Sequence, residues 1–333
     1  MKIPSKLLGY LQGRTFFMIK CGVSVVLLSV LFMKTQDEMH EFWNGIGTLK
    51  IPIYVFAFAM TMVSILCRSY KWQLLLRIQG IELSLWKVQM IYYIALFFNN
   101  FFLGSVGGDM YRVVAIRSDR GSASGSISSI LTERITGIVS LALVAVVASI
   151  VSIGRNRFEE GNSVHAIILL CFAVFLVIFI PLAIILRVKI ENVGLGRTAK
   201  WKRLANLWER LGDGLRRNMD HKKIMTVVVL LSVAYCASSI IAMHLFSLSA
   251  GVNVNLCEWA YIVPVVSFLG MLPISINGVG VQEGTIFFFL DRMGIESSSA
   301  LLVSLLPRAG MIICSLAGGF LYVFGSREEK IKG

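Results

Sequence analysis

Six stretches of this chain are long and apolar enough to cross a lipid bilayer, and no other feature constrains its fold as strongly: Phe16–Met33, Ile51–Cys67, Ser126–Ile153, Val164–Leu186, Ile224–Ala250 and Ser297–Phe324. A helix rises about 1.5 Å per residue, so roughly 20 apolar residues span the hydrocarbon core. Inside lipid every backbone N–H and C=O must be satisfied within the segment, which makes each run a helix. Composition agrees, with 56% hydrophobic side chains, 15% charged ones and a mean hydropathy of +0.75. A soluble domain carries about 25% charge, so a soluble enzyme, a disordered chain and a secreted disulfide scaffold are all excluded. The six cysteines lie singly in or beside apolar runs, without a CxxC pair, and read as packing residues. The fold class is an all-α polytopic membrane protein.

Loop charge orients the spans. Lys2, Lys6 and Arg14 precede the first run, which no small-residue cleavage site follows; it reads as an uncleaved span with a cytoplasmic N-terminus. Lys34–Lys50 carries Asp37, Glu38 and Glu41 and is expected outside. Arg68, Lys71 and Arg77 return the chain to the cytoplasm, and Arg112, Arg117 and Arg120 lie there too. A segment with both flanks inside, Leu83–Ile116, has to enter and come back. The loop Arg187–Lys223 holds eleven Lys/Arg against four Asp/Glu, and the C-terminal Arg327, Lys330 and Lys332 are basic, so both are inside. Leu256–Arg292 therefore begins and ends outside, a second re-entrant hairpin entered from the opposite face.

Eight hydrophobic segments then form two inverted repeats, each with three spans and one re-entrant hairpin, in a single integral membrane domain over 1–333. Repeat 1 covers about 14–153 and repeat 2 about 164–325. Gly107-Gly108 precede Arg134 and Gly137 as Gly278-Val279-Gly280 precede Arg308 and Gly310, at spacings of 26 residues (Gly108 to Arg134) and 28 (Gly280 to Arg308). Inverted repeats with broken helices are a transporter pattern; the competing reading is eight plain helices whose glycines serve packing. Within 197–217, Trp201, Leu204, Leu207, Trp208, Leu211 and Leu215 recur at helical spacing beside Lys200, Lys202, Arg203, Arg210, Arg216 and Arg217. This is an amphipathic helix on the cytoplasmic leaflet, serving as an anchor or as a docking element. The net charge of +13 belongs to those membrane surfaces; nucleic-acid binding needs a soluble basic face, and none is present.

Two constellations carry the candidate site. In the first, Asn99 and Asn100 sit deep in an apolar stretch and need hydrogen-bond partners, either the broken backbone or a ligand. Gly104, Gly107 and Gly108 let the backbone turn, Ser105 is placed to cap the next half-helix, and Asp109 and Arg112 follow. A helix start there would offer N–H groups and a positive dipole end to an anion. In the second, Pro273 ends a half-helix, Asn277 is placed to cap the next one across Gly278 and Gly280, and Glu283 is a candidate buried acid about two turns in. Arg134 and Arg308 fall within spans, where a central Arg costs roughly 2.5–3.5 kcal/mol on insertion scales. They form either a phosphate-binding pair, one from each repeat, or structural ion pairs with acids such as Glu133, Asp109 and Glu283. His244 reads as a hydrogen-bonded core residue. No phosphate loop, H-E-x-x-H motif or His/Cys cluster with metal spacing occurs, so neither a cofactor nor a metal is expected, and no catalytic acid–base pair is evident.

The run Asn99-Asn100-Phe101 through Gly107-Gly108-Asp109 and Arg112, then Leu131-Thr132-Glu133-Arg134, and Ile276-Asn277-Gly278-Val279-Gly280-Val281-Gln282-Glu283-Gly284 resemble the lysylphosphatidylglycerol synthase transmembrane-region family, also called flippase-like membrane proteins. The resemblance covers roughly residues 10–325. In its larger members this membrane region is fused to a soluble aminoacyl-transfer domain, which has no counterpart within residues 1–333, so aminoacylation is not carried over. Lipid translocation is: the resemblance implies a flippase- or scramblase-like transporter of an anionic phospholipid or of a polyprenyl- or sugar-linked lipid. The expected site is a polar cavity between the repeats, in the cytoplasmic membrane, with both termini cytoplasmic. The other reading is a non-catalytic accessory subunit whose partner is a lipid-modifying glycosyltransferase. One departure is that Arg308 follows Pro307 whereas Arg134 follows Glu133.

Overall fold

The computed structural model describes residues 5–101, 105–118, 123–153, 211–272 and 274–331. Among these there are helices and turns and no strand. The helices are α1 (Ser5–Lys34), α2 (Met39–Gly47), α3 (Ile51–Ile78), α4 (Leu85–Phe101), α5 (Ser105–Ser118), α6 (Ala123–Ile153), α7 (Lys222–Ser249), α8 (Leu256–Met271), α9 (Val281–Arg292) and α10 (Ser297–Ile331). Short 3-10 turns occupy Gln36–Glu38 and Ile276–Gly278. Residues 211–220 are helical as well.

Among the described residues, four helices are long and apolar enough to cross a membrane: Ile51–Ile78, Ala123–Ala148, Lys222–Ser249 and Ser297–Phe324. A fifth crossing arises if Met18–Lys34 and Gln36–Gly47, bent by 62°, form one broken span. The expected span Val164–Leu186 and most of the amphipathic helix lie outside the described residues. On α6, Val139, Leu143, Val147 and Ile150 recur every three or four residues and are all exposed, while Ile138, Leu141, Ala142 and Ala145 on the other side are buried. An apolar stripe of that length is what lipid covers and water does not.

The two segments expected as hairpins are each a pair of short helices. α4 and α5 have 17 and 14 residues, α8 and α9 have 16 and 12, and none reaches the roughly 20 needed to cross alone. α8 starts at a capping box in which the Asn255 side chain accepts from the Cys257 N–H at 3.0 Å and Glu258 accepts from the Asn255 N–H at 3.0 Å. It stops at Met271, and Leu272 is already extended (φ −66°, ψ 137°) because a following proline disfavours helical backbone.

The stretch expected as an external loop, Lys34–Lys50, folds into the 3-10 turn and α2. Phe42 is buried there, and a Cβ on Gly45 would come within 3.0 Å of Leu302, so α2 lies against α10. Glu38 accepts from the Ser298 N–H at 2.8 Å and thereby caps α10.

The chain forms two compact units whose boundaries fall inside helices: residues 1–62, 92–111 and 238–333 make one, residues 63–91 and 112–237 the other. The first has Trp259, Ile262, Leu290 and Leu301 fully buried, with the Trp259 indole donating to Ser247 Oγ at 3.3 Å. Within it α10 approaches α4 so closely that a Cβ on Gly318 would stand 2.0 Å from the Tyr93 carbonyl. Small residues at a helix interface permit such an approach where lipid supplies no hydrophobic drive. The second unit has a core of Leu74, Leu75, Ile78 and Val228, with Ile224, Met225 and Leu231 against it.

Candidate functional site

A charged side chain inside an apolar helix has to find a partner, and the described helices contain two places where several meet. The larger is in the unit of residues 63–91 and 112–237. Glu133 on α6 has a side chain 2% exposed and forms an ion pair with Arg112 of α5, itself 5% exposed. Arg68 of α3 stands 3.7 Å from the other carboxylate oxygen and is 36% exposed, so it forms the accessible side of the cluster. Lys71 lies three residues further along α3, on the same helix face, and is 3% exposed. Its ammonium donates to the Glu133 backbone carbonyl at 2.9 Å and to Ser232 Oγ of α7 at 3.0 Å.

Aromatic rings hold these cations in place. The Arg112 guanidinium lies 3.9 Å from the centre of the Trp72 ring, and Arg68 lies 5.3 Å from that of Tyr235. The Trp72 indole is fixed by donating to Ser129 Oγ at 3.0 Å, one turn before Glu133 on the same face of α6. A second layer of neutral bonds backs the cluster, with Asn218 donating to Thr132 Oγ1 at 2.6 Å and Gln79 donating to Asn218 Oδ1 at 2.7 Å. Three cations and one carboxylate, mostly dry and held from several helices, are equipped to bind an anion electrostatically.

The smaller cluster is in the other unit, around the break between α8 and α9. Asn277 adopts a left-handed conformation (φ 49°, ψ 34°), and Gly278 and Gly280 also have positive φ, 73° and 83°. A non-glycine residue held there costs about 1–3 kcal/mol and persists when its surroundings over-determine it. The surroundings are explicit: the Asn277 amide donates to Asn100 Oδ1 on α4, and Arg308 donates to the Asn277 carbonyl at 3.4 Å. Arg308 also donates to Gln282 Oε1 at 3.0 Å and pairs with Glu283. The second Glu283 oxygen accepts the Gly280 N–H at 2.7 Å and caps α9. Asn277 therefore does not cap the helix, as its position in sequence suggests; Glu283 does, from the first turn and not two turns in. The Ile276 N–H is taken by Ser24 Oγ of α1 at 3.2 Å.

The sequence-selected residues thus sort by neighbour. Arg112 meets Glu133, Asn99 meets Gly108, Asn100 meets Asn277, and Glu283 meets both Arg308 and Gly280. Gly107 and Gly108 are not in a turn but inside α5, where both are buried. Gly108 is there for close approach: its N–H donates to Asn99 Oδ1 at 2.8 Å, and a Cβ would come 2.3 Å from the Ala95 carbonyl. Ser105 opens α5, Asp109 lies on it partly buried, and Gly104 and Pro273 are outside the described residues. Arg134, partly buried beside Glu133 on α6, and Arg308 belong to different units. His244 Nδ1 bonds the Val254 carbonyl at 2.9 Å.

Sequence reasoning missed Arg68, Lys71, Trp72 and Gln282 as parts of either cluster. Arg68 and Lys71 read as loop charges after a span ending at Cys67, yet α3 continues to Ile78 and buries Lys71. The available signal was their three-residue spacing in a segment that stays apolar through Leu74-Leu75-Leu76.

Both clusters lie within residues 17–319, which match the family model described as the lysylphosphatidylglycerol synthase transmembrane region. The chain belongs to that family. It is also similar to a UPF0104 membrane protein of Pyrococcus horikoshii, 22% identical over 343 residues, covering 92% of this chain and 96% of the relative. As a member of the family the chain is a multi-pass helical membrane protein.

Proposed function

We propose that this family member moves an anionic lipid headgroup across the cytoplasmic membrane, acting as a flippase- or scramblase-like transporter without chemistry on the lipid. The observation that carries the reading is the cluster of buried Lys71 and Arg112 and accessible Arg68 around Glu133, inside helices whose outer faces are apolar. The lipid phosphate docks at Arg68, the accessible cation, while its tails stay against the exposed apolar stripe of the same unit. Glu133 competes with the phosphate for Arg112, which keeps the anion bound weakly enough to leave. One contact of this kind contributes about 4 kcal/mol at 4 Å and an effective dielectric near 20, before desolvation. In this reading the helix pairs α4–α5 and α8–α9 are re-entrant hairpins of two inverted repeats, and both termini are cytoplasmic.

The test is reconstitution of the purified chain into liposomes carrying fluorescent phosphatidylglycerol, with dithionite quenching of the outer leaflet. Arg112→Gln and Lys71→Gln are expected to slow translocation at least tenfold, and Lys222→Ala, at an exposed surface position, to leave it unchanged. Equal rates in all variants would refute the site. A folded chain that moves no lipid, but restores activity to a lipid-modifying enzyme, would favour the accessory-subunit reading.

A further inference from the structure

The break between α8 and α9 is more strained than a turn needs to be, and what holds it is light. Its backbone is extended at Ser275, left-handed at Asn277 (φ 49°), of positive φ again at Gly278, extended at Val279 and of positive φ at Gly280, where α9 begins. Asn277 is the one non-glycine residue with positive φ among the described residues. Asn100, which bonds Asn277, and Ser275, two residues before it, each carry a buried polar atom with no hydrogen-bond partner among the described residues: Asn100 Nδ2 and Ser275 Oγ. Left-handed backbone and orphaned buried polar groups both destabilise, and together they mark a segment that its surroundings keep in place.

The groups that keep it there sort by strength. Glu283 pairs with Arg308, which also donates to Gln282 Oε1 at 3.0 Å, so charge-assisted bonds fix α9 to α10. The tip of the break is tied to α4 and α1 by neutral bonds alone: the Asn277 amide donates to Asn100 Oδ1, and the Ile276 N–H donates to Ser24 Oγ at 3.2 Å. The Arg308 bond to the Asn277 carbonyl is long, 3.4 Å. A neutral hydrogen bond contributes little net stability, because other partners replace it on release. Giving up the two neutral bonds would free Asn277 to leave the left-handed region and let Asn100 Nδ2 and Ser275 Oγ find partners, with Glu283 and Arg308 still together.

We propose that the α8–α9 break is a latched hinge: Asn100 and Ser24 hold residues 275–280 in a strained conformation, and the tip opens away from α4 and α1 while α9 stays paired to α10. The hinge belongs to this unit alone and does not depend on the translocation reading. Where lipid is moved, its opening is a gating step of the kind that small hinge segments provide.

Hydrogen exchange of the full-length chain in phosphatidylcholine nanodiscs, read by mass spectrometry in the presence of low urea concentrations, tests this. Peptides over residues 274–284 are expected to exchange at least about 100-fold faster than the buried residues 300–306 of α10, with almost no dependence on urea, as a local opening requires. Asn100→Ala is expected to lower protection of residues 274–284 about fivefold, the factor for one neutral hydrogen bond. Ser24→Ala is expected to do the same and serves if Asn100→Ala does not fold. Asn277→Ala and Asn277→Gly both lose the amide bond, but only glycine accepts the left-handed backbone, so the alanine variant is expected to be about tenfold less protected than the glycine one. Residues 274–284 exchanging at the rate and with the urea dependence of residues 300–306 would overturn the hinge. Tip exchange that none of the folded variants moves would overturn the latch. A chain that opens locally yet moves no lipid keeps the hinge and loses the translocation reading; one that moves lipid while the tip exchanges only on global unfolding does the reverse.

Discussion

Replacing Glu133 by glutamine preserves the shape of the side chain and removes the charge that Arg112 and Arg68 pair with, beside the Lys71 ammonium on the Glu133 backbone carbonyl. The carboxylate is 2% exposed and Arg112 5%, so water does not take its place. At a separation of about 4 Å and an effective dielectric near 20, the lost attraction is about 4 kcal/mol. The glutamine carbonyl still accepts a hydrogen bond from Arg112, which returns about 1 kcal/mol. A net loss of about 3 kcal/mol follows, at the lower edge of the 3–5 kcal/mol found when one partner of a buried pair is removed. The assay is reversible unfolding in mixed micelles, followed by tryptophan fluorescence and extrapolated linearly to zero denaturant. Lys71→Met in the Glu133→Gln background is expected to recover part of the loss, since one uncompensated cation is then gone. A Glu133→Gln chain within about 0.5 kcal/mol of the wild type, the range of ordinary surface substitutions, would refute the account of a dry, charge-coupled cluster.

The Glu283–Arg308 pair is expected to behave as a structural unit. Glu283→Gln destabilises, Arg308→Met in addition restores at least half of the loss, and a double-mutant cycle reads a coupling of about 0.5–3 kcal/mol; zero coupling would contradict the pairing. At the rim near α2, Glu296 shares a hydrogen bond with Glu41, and that bond together with the neighbouring negative charge raises its carboxyl above the usual range. A carboxyl whose folded value is raised contributes stability that is fully present below its unfolded value and is lost as pH rises through the folded one. Glu41→Gln is therefore expected to raise the unfolding midpoint relative to wild type at pH 7 and to lose that advantage at pH 4. The same difference at both pH values would sink the shared-proton picture.

What the sequence determined by itself was everything that depends on local composition. Apolar runs of spanning length, such as Ile51–Cys67 and Ser126–Ile153, become helices because lipid leaves the backbone no other partner. Leu272, with Pro273 next in sequence, ends α8 in extended backbone because the following ring disfavours helix, whatever packs around it. The motifs were legible as places where polar groups needed partners, but not which partners they would take. Asn277 looked like a cap and instead reaches Asn100 on α4, 177 residues away in sequence. Gly108 looked like a hinge and instead lets α5 lie against Ala95. Lys71 looked like a loop charge and instead sits in the interior, bonded to α6 and α7. Those choices belonged to the tertiary structure, because a buried charge is stabilised by whichever group the packing of distant helices brings within a few ångströms, and that distance is written in no single segment.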